Sequence, residues 1–183
     1  DVTHKVADSE PASAFVFKTV ADPFAGRVTY FKVLSGVVKN DASLLNPNKQ
    51  ATERLAHVGC LLGKTITPVN ELHAGDIGAV AKLKDTLTGD TLCDKAAPVE
   101  YPPVRLAEPS IAFAIEAKSR QDEDRMGHAV HKMLEEDQSL RFYRDPQTKE
   151  FLVAGCGQQH LEVIVSRLKK RYGVEVTLKA PKI

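Results

Sequence analysis

The 183-residue sequence predicts two small domains, a closed all-β barrel followed by an α+β domain. Residues 14–93 consist of short apolar segments separated by turn residues, and none of these segments has the 3.6-residue periodicity of a helix. Residues 110–183 instead place two amphipathic helical patterns between strand-like segments. Four prolines within the twelve residues 98–109 exclude a helix or a central strand, and they predict a stiff, extended linker. We therefore expect a β-barrel domain at 1–97, the linker at 98–109 and the α+β domain at 110–183.

The β-barrel domain is organised around the segment Phe17–Val38, which predicts two strands joined by a turn at residues 22–26. Proline fixes φ and glycine accepts positive φ, so Pro23 and Gly26 bend the chain here. Residues 1–12 precede this region and indicate a mobile lead-in. Period-2 alternation puts apolar side chains on both faces of the second strand, with Val28, Tyr30 and Leu34 on one face and Phe31 and Val33 on the other.

Two later segments complete the predicted barrel. Residues 53–61 alternate weakly and predict one strand, and Ala74–Leu83 predict another strand after a Gly-Asp turn. Small residues suit the crowded interior of a small barrel, and closure of a barrel removes exposed sheet edges. We expect the interior face of the last strand to carry Ile77, Ala79, Ala81 and Leu83.

The α+β domain is predicted from six segments in the order strand, helix, strand, strand, helix, strand: 110–117, 121–137, 140–143, 151–154, 158–172 and 174–178. Acidic residues crowd the first turn of the first helix, where the helix dipole favours negative charge, and Gly173 ends the second helix. Each helix has an apolar stripe: Met126, Ala129, Val130, Met133 and Leu134 on the first, and Leu161, Ile164, Val165, Leu168 and Tyr172 on the second. This order is typical of the ferredoxin-like fold.

Composition excludes several classes of protein. The net charge is +1, so any contact with RNA must come from local patches. The three cysteines lie far apart without a CxxC spacing, which argues against a disulfide framework or zinc ribbon and suits a reducing compartment, the cytoplasm. No apolar run approaches the roughly 20 residues of a membrane span. The N-terminus lacks both the apolar core of a signal peptide and an initiator Met, so we expect an excised fragment.

Motifs for nucleotide or metal binding are incomplete. GCLLGKT at 59–65 has three residues between its glycines, whereas a P-loop needs four. NKQA at 48–51 lacks the aspartate with which the motif NKxD reads guanine. We therefore predict no nucleotide, cofactor or metal site and no catalytic residue, and we do not expect this chain to be an enzyme by itself. Two pairs fall short of the four ligands of a closed zinc site: Cys156 with His160, and His128 with His131.

Three stretches of the sequence resemble bacterial elongation factor G. They are FKT, DPFAGR and FKVLSG within residues 17–36, AGDIGAVAKLKDTLTGDTLCD at 74–94, and GCGQQHLEVIVSRLKKRYGVEV at 155–176. They occur in the order of the family, and the similarity covers roughly residues 14–179. In the last stretch the residues that match the family motif are His160, Leu161, Glu162, Arg167, Leu168, Lys169 and Gly173. Those that depart from it are Cys156, Gln158, Gln159 and Ser166.

The resemblance implies that the chain is the second and third domains of a translational GTPase, a translation-factor β-barrel and a ferredoxin-like adaptor. The parent protein is then expected to bind GTP and Mg²⁺ in a domain outside this chain and to drive translocation of tRNA and mRNA on the ribosome. Implied partners are ribosomal RNA, small-subunit proteins and the parent's own GTPase and C-terminal domains, with no membrane. Gln158 and Gln159 leave open a ribosomal protection or ribosome-recycling paralogue. A free-standing RNA-binding module is a further alternative, although its strands lack the aromatic pattern that stacks bases.

The resemblance also implies two groups of contact residues. Ribosome contacts are expected from basic residues, namely Arg27, Lys32, Lys169, Lys170 and Arg171, and around the first helix Lys118, Arg120 and Arg125 extend this set. A groove facing the GTPase domain, where fusidic acid binds in elongation factor G, is expected from Asp137, Ser139, His160 and Ile164. The alternatives are a solvated helix face for the basic residues and a packed or capping role for His160.

Overall fold

The structure is a computed structural model that describes residues 3–22, 26–63 and 65–182. The chain divides into two compact units, Asp1–Val104 and Arg105–Ile183. The predicted linker at 98–109 spans this division, and the predicted turn residues 23–25 lie outside the described residues. Each unit has its own cluster of buried apolar side chains.

The described part of the first unit contains ten strands: β1 (Ser13–Asp22), β2 (Gly26–Ser35), β3 (Val38–Lys39), β4 (Ser43–Asn46), β5 (Ala51–Arg54), β6 (Gly59–Leu62), β7 (Thr65–Pro68), β8 (Glu71–Leu72), β9 (Ile77–Ala81) and β10 (Thr91–Cys93). Eight of them form one antiparallel sheet in the order β5-β4-β10-β1-β2-β9-β6-β7, and β3 pairs with β8. The predicted all-β class is confirmed.

The large sheet is not closed by hydrogen bonds between its outer strands β5 and β7, as far as the described residues show. Instead, residues 40 and 41, which follow β3 of the short β3–β8 ribbon, form hydrogen bonds with the chain at both ends of the sheet. The Asp41 N–H donates to the Leu55 carbonyl just after β5 (2.9 Å), and the Asn40 N–H donates to the Asn70 carbonyl after β7 (2.8 Å). The predicted closed barrel is thus corrected to a sheet whose ends are bridged by a separate ribbon.

The predicted single strand at 53–61 is two strands, β5 and β6, separated by a turn. His57 lies in this turn and has a left-handed backbone (φ 58°). Gln50, before β5, is also left-handed (φ 52°). His57 is not the glycine that usually marks such a conformation, so the sequence pattern held no sign of the turn between β5 and β6.

Of the four residues predicted for the interior face of β9, Ala79 and Leu83 are buried, but Ile77 is not. Ile77 is 56% exposed, whereas Val80 is fully buried in the core. Gly78 lies so close to Leu72 that a Cβ at this position would collide with it. Lys82 has a left-handed backbone (φ 65°), which breaks the alternation and returns Leu83 to the core. The predicted face is therefore wrong for Ile77, and regular alternation does not continue through Lys82 to Leu83.

The lead-in before β1 is anchored rather than mobile in its described part. The Gly36 N–H donates to the Ala7 carbonyl (2.9 Å), and the Asp94 N–H donates to the Ala12 carbonyl (2.8 Å). Gly36 has φ 68°, and a Cβ there would lie 2.6 Å from the Ala12 backbone, so this junction requires glycine.

A buried carboxylate organises the loop between β9 and β10. Glu53, which is 3% exposed, accepts hydrogen bonds from the N–H groups of Lys84 (3.1 Å), Asp85 (2.8 Å) and Thr86 (3.0 Å). The Thr86 hydroxyl donates a further bond to it (2.9 Å). Burial opposes ionisation of Glu53, but these donors outweigh burial and hold the pKa of Glu53 below its usual value. Glu53 therefore acts as an ionised anchor for residues 84–86.

The second unit contains β11 (Ile111–Ala117), α1 (Arg120–Glu136), β12 (Arg141–Arg144), β13 (Phe151–Gly155), α2 (Gln158–Tyr172) and β14 (Val176–Lys179). Its antiparallel sheet has the order β12-β13-β11-β14, which confirms the β-α-β-β-α-β arrangement. The Ser119 side chain caps α1 by accepting from the Asp122 N–H (3.1 Å), and Gly173 ends α2 with φ 64°.

The apolar stripes of both helices pack on one face of this sheet. Their fully buried members are Met126, Ala129, Val130 and Met133 on α1, and Leu161, Ile164 and Leu168 on α2. Leu134, Val165 and Tyr172 are partly buried at the edge of the same cluster. The predicted core of the α+β domain is confirmed.

We expect trypsin to cut first after Arg105. Tyr101 is fixed to the first unit, because its hydroxyl bonds with Ser13 Oγ (2.7 Å) and its N–H donates to Thr91 Oγ1 (2.9 Å). Val104 beyond it is 71% exposed and Arg105 is exposed. Mass spectrometry of early digests should give two stable fragments, and Arg105→Gln should remove this cut. First cuts inside either unit, for example after Lys49 or Lys149, would contradict the expected accessibility.

Candidate interaction surfaces

The last turn of α2 carries the basic surface, which we define as Lys169, Lys170 and Arg171. Cations are favoured here because the carboxyl end of a helix has a partial negative charge. Gly173 stops the helix, and its N–H donates to the Lys169 carbonyl (3.1 Å). The three side chains were predicted as one group, but the structure gives each of them a different environment.

Lys169 is paired with a carboxylate that it shares with another lysine. Its Nζ lies 2.8 Å from Glu175 Oε1, and Lys118 Nζ lies 3.0 Å from Glu175 Oε2. Hydrogen bonds from Lys169 and then from Lys118 lower the pKa of Glu175 to about 2. Glu175 is therefore ionised throughout the physiological range, and it partly neutralises both lysines.

Arg171 connects the two helices, whereas Lys170 points into solvent. Two nitrogens of the Arg171 guanidinium donate to the two carboxylate oxygens of Glu136 (2.8 and 3.0 Å). The Glu136 side chain is only 9% exposed, so this bidentate pair belongs to the α1–α2 junction. Within the part of the chain that the structure describes, Lys170 is exposed and forms no ion pair.

The two basic residues predicted on the β-domain also differ in surroundings. Arg27 Nη2 donates to the Lys84 carbonyl (2.5 Å), so Arg27 supports the loop that Glu53 anchors. Lys32 is exposed beside an outward-facing groove of about 320 Å³, which is lined by apolar side chains: Phe15, Phe17, Leu34 and Ile77. The structure thus places Lys32 among apolar side chains.

Three of the four predicted groove residues meet where α1 ends and α2 begins. Asp137 Oδ1 accepts from the Ser139 N–H (3.0 Å) and the Ser139 hydroxyl (2.5 Å). Asp137 Oδ2 lies 2.9 Å from His160 Nε2. The Cys156 N–H donates to His160 Nδ1 (3.2 Å), so in the neutral ring Nε2 carries the proton and donates it to Asp137.

We call Asp137, Ser139 and His160 the helix-end cluster. Their polar side-chain atoms form hydrogen bonds with one another. Burial disfavours ionised Asp137, but the hydrogen bonds from Ser139 and His160 outweigh burial and lower the pKa of Asp137. Ile164, the fourth predicted member, is buried in the core of the second unit and does not join the others. The contacts give His160 a positioning role between the ends of the two helices.

The two nucleotide-like segments lie among the strands and turns of the first unit. In the segment 59–65, residues 59–62 form β6 and Thr65 begins β7, while Lys64 lies outside the described residues. No helix follows to present backbone N–H groups to a phosphate in the described part of this unit. In the segment NKQA, Asn48 Oδ1 accepts a hydrogen bond from the Thr91 N–H (2.8 Å), so Asn48 connects this turn to strand β10 of the first unit.

Neither pair of possible metal ligands is extended by further ligands. No group of three or more His, Cys, Asp or Glu residues could hold a metal ion within 3–22, 26–63 and 65–182. In the same ranges, neither helix is both long and apolar enough to cross a membrane.

Comparison with known proteins identifies both units. Residues 11–95 match the family model described as elongation factor G domain 2, and residues 106–180 match that described as elongation factor G, domain III. The crystal structure of a protein from Thermus thermophilus is similar over 95% of this chain, with a TM-score of 0.87 and 38% sequence identity. The match covers 26% of that protein, so the present chain spans about a quarter of its length. The chain therefore belongs to the elongation factor G family and carries the regions that the family calls domain 2 and domain III.

Proposed function

We propose that this chain docks on the ribosome as part of an elongation factor G-like translational GTPase. In this proposal the parent acts in the cytoplasm and drives translocation of tRNA and mRNA. GTP and Mg²⁺ bind to a GTPase domain outside this chain, as the resemblance to the family implies. The β-domain rests on the small subunit through Arg27 and Lys32, and the α+β domain couples the GTPase domain to the distal domains. Membership of the elongation factor G family supports this assignment.

The exposure of Lys170 at the end of α2 is the observation that carries the docking proposal. RNA attracts proteins through its phosphates, so a surface cation without an ion pair among the described residues is well suited to the contact. The helix-end cluster of Asp137, Ser139 and His160 fixes the relative position of α1 and α2. We infer that it faces the GTPase domain and transmits its movement.

Lys170→Glu should weaken the binding of this chain to ribosomes without unfolding it. A surface substitution of this kind changes stability by less than about 0.5 kcal/mol. Loss of one phosphate contact should reduce the slope of log affinity against log salt by about 0.7–0.9. Sedimentation with ribosomes at several salt concentrations measures both quantities.

Lys95→Glu is the matched control, because it makes the same charge change at an exposed residue of the first unit. It should bind like the wild type. If Lys170→Glu and Lys95→Glu have the same affinity and salt slope, Lys170 does not contact ribosomal RNA and the docking proposal loses the observation that carries it.

A ribosome-recycling or ribosomal protection paralogue is the second candidate. The first turn of α2 contains no acidic residue, and Gln158 Nε2 donates to Glu162 Oε1 (2.9 Å) instead of presenting a charge. The resemblance places a glutamate of the family in this turn, next to the surface that faces the GTPase domain. Complementation of an elongation factor G deletion by the full-length gene separates the two functions, since only a translocase supports growth.

A further inference from the structure

Glu175 lies between two lysines that come from different elements of the second unit. Lys118 follows β11, Lys169 is in the last turn of α2, and Glu175 directly precedes β14. Each lysine binds a different oxygen of the carboxylate, at 3.0 and 2.8 Å. The Lys118 N–H also donates to the Glu175 carbonyl (3.0 Å), so the backbone holds this arrangement independently of the side chains.

A phosphate can make the same kind of contacts with the two ammonium groups as the Glu175 carboxylate does. A phosphodiester also presents two anionic oxygens, and lysine binds phosphate as a point charge without strict geometry. Both lysine side chains are more than half exposed, so an incoming phosphate reaches them without a change in the fold. Lys170, the next residue of α2, extends the same charge to the neighbouring surface.

We propose that Lys118 and Lys169 form a phosphate seat for an RNA backbone, and that the Glu175 carboxylate occupies this seat as an internal competitor. The proposal rests on the proposed ribosome docking. It adds a defined site for one phosphate and a carboxylate that limits the affinity of this site. Before a phosphate binds, the Glu175 side chain must turn away into solvent. Its charge then stays nearby and weakens the complex, which favours release.

Glu175→Gln should convert this restrained site into a stronger one. The probe is a fluorescent 20-nucleotide RNA hairpin, titrated with the 183-residue chain by anisotropy. The affinity should rise about fivefold at low salt, the effect of one unit charge about 4 Å away in water. The salt slope should steepen by roughly one, as for one additional phosphate contact. Adding Lys118→Gln to Glu175→Gln should abolish most of the gain.

Glu150→Gln is the matched control, because Glu150 is also ion-paired, to Lys182 (3.4 Å), in the same unit. It makes the same change in net charge and should alter the affinity for the hairpin by less than about twofold. Circular dichroism should show Glu175→Gln folded, since the backbone bond between residues 118 and 175 remains.

Equal affinities of Glu175→Gln and Glu150→Gln would overturn the proposal, as would a Glu175→Gln variant that does not bind the hairpin. The ribosome measurement on Lys170→Glu is independent of this result. Weaker ribosome binding by Lys170→Glu together with an unchanged Glu175→Gln leaves the docking surface and removes the seat. Unchanged ribosome binding by Lys170→Glu together with tighter hairpin binding by Glu175→Gln supports the phosphate seat and contradicts the docking through Lys170.

Discussion

Leu168→Ala is expected to lower the free energy of unfolding of the second unit by about 2–5 kcal/mol, as large-to-small changes in packed cores do. Leu168 is fully buried in the cluster that α1, α2 and the sheet share. Its carbonyl also accepts from the Val174 N–H (3.2 Å) where α2 ends, so the surrounding backbone is fixed and relaxes little into the cavity. Urea unfolding followed by the helical circular dichroism signal measures this loss, because both helices of the described residues belong to the second unit.

Val163→Ala is the control on the same helix. Val163 is 38% exposed and lies outside the core cluster, so its truncation should cost less than about 1 kcal/mol. Similar losses for the two variants would mean that α2 does not bury the face on which Leu168 lies.

Glu53→Gln is expected to lower the free energy of unfolding of the first unit by about 1.5–3 kcal/mol, the range for hydrogen bonds to charged groups. The carboxylate receives four donors from residues 84–86, and an amide offers one oxygen in place of two. The amide nitrogen would also face a backbone N–H. Hydrogen exchange at several urea concentrations, read by mass spectrometry on peptides of the first unit, measures the difference, with exposed Glu71→Gln as the control.

The effect of Glu53→Gln should depend on pH with a defined sign. The pKa of Glu53 is lower in the folded chain, so the unfolded chain takes up the proton first as pH falls. The stabilisation is complete above the ordinary glutamate pKa of about 4.3 and is lost as pH falls through the folded value. The gap between wild type and variant should therefore be constant from about pH 6 to 8 and shrink below about pH 4. A gap that stays constant down to about pH 3 would contradict an ionised anchor.

The sequence was sufficient for the α+β domain because local signals there are strong and agree. The bounds of α2 were predicted as found, since an apolar stripe and a terminal glycine both mark it. For the first unit, the sequence predicted the all-β class but not the strand bounds or the closure of the sheet. The left-handed residues His57 and Lys82 determine where strands end and which face of β9 is buried, and neither is a glycine.

The candidate sites could likewise be predicted only in part, because a single sequence carries no signal for ion pairs between residues that are far apart in it. The basic residues of α2 were predicted from spacing, but the pairing of Lys169 with Glu175 and of Arg171 with Glu136 required the fold. Lys118 and Glu175 are 57 residues apart. Ile164 was assigned to a surface groove by resemblance, although its place in the apolar stripe already indicated the core where the structure puts it.

The pairing of β1 with β10 has a consequence for the synthesis of the chain. Ser13 of β1 is the register partner of Cys93 of β10, so β1 can pair with β10 only after 80 further residues have been translated. At roughly 5–20 residues per second this delay is about 4–16 s. During that time β1 can pair with β2, but its other edge stays open to foreign strands. The nascent first unit is therefore most exposed to aggregation before its last strand emerges, and a chaperone that covers β1 in that interval would raise the yield of folded protein.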